Sequence, residues 1–294
     1  MTESAEGRRR RGKGPRIERL KDVVAIAVLI LAALWVLFPF YWAAITSLKQ
    51  PVDVFRLSFV PWLQFSPVLS NWQSELSYRG SVIFGGLANS FFIGLGACLV
   101  AMALGTLAGY GLARYRYSGW RNRDISLYFL SQRFLPPAAT ILPFFYFAQR
   151  LHLLDTRIIL IAANATFTMP FAVLLMRDAF QGIPVEMEEA ARVDGASALQ
   201  VLLRISLPLA APTLVAAGII AFAFTWNEFL FAFVLSYSRA VPMSVIIAGT
   251  QDVMGVQFWY VSTRLLLAIL PPAIVVLIVQ RYIVKGLTLG AVKG

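Results

Sequence analysis

Residues 186–208 read EMEEAARVDGASALQVLLRISLP, a charged stretch lying between two long apolar runs. It holds Glu186, Glu188, Glu189, Arg192, Asp194 and Arg204. Pro184 suits a first helical turn, because its missing N–H would be unpaired there anyway. The glutamates that follow then sit near a helix N-terminus, where the dipole favours negative charge. Ala190 and Ala191 are strong helix formers with little bulk, and Gly195 is a natural break. A second short helix over 197–204 runs into Leu207-Pro208. The pattern predicts helix, sharp turn, helix. Its alanines let another backbone come close, and its acids offer partners to basic groups. That is docking chemistry.

Two further charges, Arg133 and Glu228, fall inside apolar runs. A charge within a membrane span is costly and usually faces the bundle interior or a wet cavity. Their estimated depths differ by several residues, so a direct pair is not the expected arrangement. Asn164, Thr166, Thr168 and Pro170 mark another polar interruption, where freed backbone groups need local partners. No catalytic constellation is present. There is no Walker A pattern, no Ser/His/Asp set and no metal spacing, so neither enzyme activity nor a cofactor is expected. Cys98 is alone in an apolar run and His152 is the sole histidine, which leaves no intrachain disulfide and no cysteine metal site.

The elements that must position these residues follow from composition. The 294 residues are 59% hydrophobic and 14% charged, with mean hydropathy +0.70; soluble domains carry about 25% charged residues. Several runs reach the roughly 20 residues that cross a bilayer. The expected fold class is all-α, a polytopic helical membrane protein. Six spans are predicted, over 23–46, 84–113, 124–148, 158–176, 209–235 and 264–284. A net charge of +11 would suit nucleic acid, but eight of the 26 basic residues lie in the first 21 positions and most others flank apolar runs. That distribution is a topology signal, and no nucleic-acid partner is expected. Residues 1–21 read as a basic cytoplasmic tail. The first run is too long for a signal-peptide core and lacks a small-residue cleavage site. With Arg264 and Arg281, at the two ends of the sixth span, counted to the sides they border, inner segments hold 18 Lys and Arg against 7 outside, and Arg133 lies within a span. The bias puts both termini and the 186–208 knob in the cytoplasm. Gly105 and Gly109 form a GxxxG, which reads as bundle packing, with helix dimerisation as the alternative.

The spacing Glu189-Ala190-Ala191, three residues, Gly195, nine residues, Ile205-Ser206-Leu207-Pro208 resembles, without a gap, the EAA loop of ABC importer permeases. The resemblance covers residues 22–294 as one permease domain, with its core over 84–282 and the loop over 178–207. It implies the type I importer permease fold, in the bacterial inner membrane. It also implies that Glu186, Glu189, Ala190, Ala191, Asp194, Gly195, Ile205, Leu207 and Pro208 dock a cytoplasmic ATPase as a coupling helix. WNEFLFA at 226–232 is similar to a run in the MalG-like carbohydrate branch. There Trp226 would stack on a sugar's apolar face, and Asn227 and Glu228 would bond hydroxyls, with Arg133 and Asn164 as further path residues. The competing reading is that these groups satisfy neighbouring helices. The tail from Gln280 to Gly294 resembles that branch's terminal signature, which implies an ATPase contact through Gly290, Lys293 and Gly294. An outer segment, 236–263, could reach a docked binding protein. The machine implied is this chain with a second, MalF-like permease, two ATPase subunits, an extracytoplasmic solute-binding protein and a carbohydrate substrate, within a lipid bilayer. A permease for a non-carbohydrate solute and a stand-alone secondary transporter remain the alternatives.

Overall fold

A backbone in lipid must satisfy its polar groups within its own segment, so long apolar runs become long helices. The computed structural model describes residues 15–252 and 255–291, with side chains over 21–250 and 255–280. The main elements are α1 (Pro15–Ser47), α2 (Gly80–Arg114), α3 (Asn122–Ser131), α4 (Pro137–Arg150), α5 (Arg157–Gln181), α6 (Val185–Val193), α7 (Leu207–Trp226), α8 (Leu230–Leu235), α9 (Met243–Ala248) and α10 (Phe258–Ala291). A two-stranded antiparallel hairpin, β1 (Gln251–Asp252) with β2 (Gly255–Val256), precedes α10. Among the described residues, five segments are long and apolar enough to cross a membrane: Lys21–Ser47, Gly80–Arg114, Arg157–Gln181, Ala198–Trp226 and Phe258–Gln280. The protein is an all-α polytopic membrane protein.

The expected third span, 124–148, is not one helix. It divides into α3, a 3-10 turn over Gln132–Phe134, and α4. Leu135 and Pro136 are extended, at ψ 118° and 128°. Proline ring sterics push the preceding residue out of the helical region, and the Pro136-Pro137 pair does this twice. The expected fifth span, 209–235, also breaks: α7 ends at Trp226 and α8 starts at Leu230. The fourth span shows the opposite. Instead of breaking, α5 runs through Pro170 without interruption. Asn164 Nδ2 donates to Leu160 O, Thr166 Oγ1 to Ala162 O and Thr168 Oγ1 to Asn164 O. These polar groups are spent one turn back on their own helix. The last helix, α10, passes the expected end at 284 and takes in Gly290, while Lys293 and Gly294 lie outside the described residues.

The centre of the bundle is α2 packed along α5, with α7 against both. At Gly105 an added Cβ would lie 2.5 Å from Ala172 Cβ, and at Gly109 2.8 Å from the Arg177 backbone nitrogen. The GxxxG face therefore closes an interface within the chain, where small residues let backbones approach. α1 packs along α10, and its residues 21–41 are exposed. At the α2 N-terminal end, polar clamps hold the loops. Asn71 donates to Ser47 O and Lys49 O, fixing the exit of α1. Arg264 forms a buried pair with Glu75 at 2.7 Å and donates to Ile246 O and Thr250 Oγ1. Arg157 Nε donates to Asn89 Oδ1, whose amide nitrogen holds Arg239 O and Val241 O.

Candidate coupling and translocation sites

The 186–208 stretch folds as one short helix, α6, and a glycine turn, after which the expected second short helix is instead the start of an unbroken helical run, Ala198–Trp226. α6 ends in a Schellman motif: Ala196 N donates to Ala191 O at 2.9 Å, and Gly195 N to Arg192 O at 3.0 Å. Gly195 takes φ +88°, a conformation that favours glycine, with open space where a Cβ would stand. Ser197 then opens the helix Ala198–Val201 with a capping box to Gln200. A π-turn, Leu202–Ser206, hands the chain to α7. Pro184 is the residue before the first helical position, not the first itself.

Exposure sorts the candidate docking residues. Glu186, Glu189, Ala190, Asp194, Gly195 and Pro208 are exposed, and Ala191, Ile205 and Leu207 are half-buried. Val185, Met187, Val193, Leu199 and Leu203 are exposed as well, Val193 to 87%. The knob thus offers apolar side chains and free carboxylates on one small protrusion, a combination that fits a partner surface.

Glu188 behaves differently from its neighbours. It is fully buried. Its Oε1 accepts from Arg114 Nε and Ser206 Oγ, each at 2.8 Å, and its Oε2 accepts from Tyr110 Oη at 3.0 Å. The sequence marks it only as one of the acids near a helix N-terminus. Tyr110 and Arg114, four apart on α2, share a helix face, but no local rule links that face to an acid 74 residues later.

The second site is a cavity of about 250 Å³ whose lining includes Arg133, Asn164, Thr168, Phe224, Glu228 and Phe231. The break in the third expected span places Arg133 here, on the 3-10 turn. Its guanidinium lies 5.6 Å from the Phe171 ring centre and 5.5 Å from that of Phe224, within cation–π range. Among the described residues no ion pair joins Arg133 to Glu228. Glu228 instead caps α8, accepting from Phe231 N at 2.8 Å and Ala232 N at 3.2 Å. Three of the five candidate path residues therefore converge. Trp226 and Asn227 do not line the cavity: Trp226 is buried with its ring 5.6 Å from Phe222, and Asn227 Nδ2 returns to Ala223 O. Phe167, Phe224 and Phe231 join the lining instead, and a run of ordinary apolar residues carries no signal for that. The cavity holds one cation, a carboxylate engaged by backbone amides, an amide oxygen and aromatic faces. Such a mixture can take a polar ligand with apolar faces.

Known proteins resemble this chain in sequence and in fold. The family described as binding-protein-dependent transport system inner membrane component matches over residues 101–289. A sulfoquinovosyl glycerol transport system permease protein of Agrobacterium fabrum is 31% identical, covering 92% of this chain and 93% of its own. A trehalose/maltose transport system permease protein of Thermococcus litoralis is 31% identical, covering 95% and 99%. Among solved structures, a chain of a bacterial ABC transporter involved in the import of the acidic polysaccharide alginate superposes with TM-score 0.74 at 24% identity, covering 92% of this chain and 99% of that one. At that identity the likeness speaks for the fold.

Proposed function

The chain belongs to the family of binding-protein-dependent transport system inner membrane components, and from that premise we propose that it is a permease subunit of an ATP-driven importer for a carbohydrate. The observation that carries this reading is the exposed helix–glycine–helix knob set between two spans, in a chain whose sequence has no P-loop. In an ATP-driven importer, a subunit without a nucleotide site takes its drive from another subunit, through a surface on which that subunit can push. The knob is that surface, with Glu186, Glu189, Ala190, Ala191, Asp194, Gly195, Ile205, Leu207 and Pro208 as its contact residues.

The remaining parts follow from the same premise. Two ATPase subunits close on the cytoplasmic face, and the basic-residue bias supports the knob and both termini lying on that side. Gly290, Lys293 and Gly294 at the C-terminus add a second ATPase contact. A second permease completes the path, and an extracytoplasmic binding protein delivers solute at the far end, near the 236–263 segment. The cavity lined by Arg133, Asn164 and Glu228 is this chain's share of the path. Two relatives are named for glycosyl solutes, sulfoquinovosyl glycerol and trehalose/maltose, which supports a carbohydrate. The aromatic and hydrogen-bonding lining of the cavity is compatible with one.

The test is uptake of a labelled carbohydrate by cells or vesicles holding the whole assembly. ATP depletion should abolish uptake, and a protonophore applied at maintained ATP should leave it. The reverse pattern would make the chain a secondary transporter, which wants an ion site in its spans.

A further inference from the structure

The knob reading leaves open how a push on an exposed helix reaches the membrane. We infer that Glu188 is a positioning residue that joins the knob to α2 and α7 and passes its displacement to both. The inference rests on the knob being the site of ATPase coupling and adds the route by which the force travels.

The geometry carries it. α6 is exposed along most of its surface, yet Glu188 near its middle is fully buried. Its carboxylate is the meeting point of three elements. The last turns of α2 supply Tyr110 Oη and Arg114 Nε. Arg114 also donates through Nη2 to Ile183 O at 3.0 Å, just before α6, so α2 grips the knob at its base and in its middle. Ser206 Oγ, at the end of the π-turn that becomes α7, completes the set. A single π-turn of this kind is a recurrent feature of functional sites. Here it is the joint through which α7 follows the knob. Arg192, one turn along α6, stands 3.9 Å from the same carboxylate and faces outward.

Packing alone serves this purpose poorly. Apolar contacts are non-directional, so they hold two surfaces together without fixing how one is placed along the other. A buried carboxylate held by three directed hydrogen bonds leaves little freedom to slide, and its charge-assisted bonds are the strong ones. α2 in turn is closed on α5 at Gly105 and Gly109. A displacement entering at Glu188 therefore reaches the α2–α5 centre of the bundle and α7 together.

The experiment uses the assembled transporter in proteoliposomes, with its ATPase subunits and binding protein, and reads solute imported per ATP hydrolysed. Glu188→Gln keeps the shape and one acceptor oxygen while removing the charge. It should leave ATPase co-purification and hydrolysis within about twofold, and lower solute per ATP about tenfold, the scale of interaction energies between contacting residues. Adding Arg114→Gln should cost little more, because both changes open the same joint. Where Glu188→Gln fails to assemble, Ser206→Ala serves. It removes one donor, leaves the ion pair, and should lower solute per ATP about threefold. Unchanged solute per ATP in the assembled variant, or uptake falling only in step with the amount of complex, would overturn the inference. Failure of the underlying coupling reading looks different: wild-type ATPase subunits would then bind without protecting α6 from cross-linking or proteolysis.

Discussion

Asp155 sits in a short loop at φ +57°, and its carboxylate is covered by the backbone amides of Tyr237, Ser238, Arg239 and Ala240 at 2.9–3.2 Å. Four successive N–H groups facing one anion make a nest. Burial pushes this carboxyl up, but the amides of Arg239, Ser238, Tyr237 and Ala240 outweigh it and hold the group below its ordinary value. The sign of the pH effect follows. A carboxyl depressed on folding adds stability above its unfolded value, near pH 4, and loses it as pH falls toward the folded value. Asp155→Asn should lower stability by roughly 1.5–3 kcal/mol at neutral pH, the usual worth of hydrogen bonds to a charged group. Thermal unfolding in detergent between pH 3 and 7 checks this. The gap between wild type and variant should narrow below about pH 4; a gap constant with pH would mean the charge contributes nothing. Residues of this kind are hidden from sequence. Asp155 follows two leucines in a turn, and nothing local marks its partners 82–85 positions away.

Between elements, close approach is the controlling quantity. An added Cβ at Gly109 would stand 2.8 Å from the Arg177 nitrogen and 2.9 Å from Val173 O. Both are backbone atoms of α5, and neither can swing aside. Gly109→Ala should cost about 1–3 kcal/mol, as overpacking does. Gly85→Ala, with nothing within 4 Å of its added Cβ, is the control and should be neutral or better. Folded yield after detergent extraction reads both, and equal yields would dismiss the α2–α5 contact as a constraint. Gly195 is constrained by backbone instead of space. A left-handed conformation costs a residue with a Cβ roughly 1–2 kcal/mol, least for Asn and most for a β-branched side chain. Uptake should fall in the order glycine, Gly195→Asn, Gly195→Val, with membrane insertion unaffected. Full uptake by the valine variant would separate the turn from the coupling contact. This glycine was legible because helix termination is a local event, governed by neighbours within five residues.

For the whole molecule, the decisive prediction concerns assembly. Glu189 is exposed on α6 and, among the described residues, has no ion-pair partner in its own chain. Glu189→Lys should leave the isolated permease as stable as wild type, since surface charges contribute about 0–1 kcal/mol. It should sharply reduce co-purification of ATPase subunits. Unchanged co-purification would remove Glu189 from the contact. Adjacent Glu188 should behave in the opposite way, retaining the ATPase while losing transport per ATP. Two neighbouring glutamates of the same type are thereby assigned separate tasks by the direction each side chain faces.

Amphipathic and apolar runs, basic flanks and turn residues were enough to determine an all-helical membrane bundle with a charged helix and a glycine turn ahead of a later span. Each of these is a property of a short window of chain: a bilayer's thickness, a dipole, a positive φ. Tertiary structure alone decided which polar residues meet. Arg133, Asn164 and Glu228 share a cavity because a proline pair breaks one span and a three-residue gap ends another. Trp226 misses the cavity although it stands two residues from Glu228, because it ends α7 packed against Phe222 while Glu228 lies beyond that helix and turns to cap α8. Glu188 and not Glu189 turns inward because the ends of α2 and α7 converge beneath it. Contacts across such distances depend on how helices pack, and helix packing in lipid is set by shape and by a few hydrogen bonds, which no local pattern records.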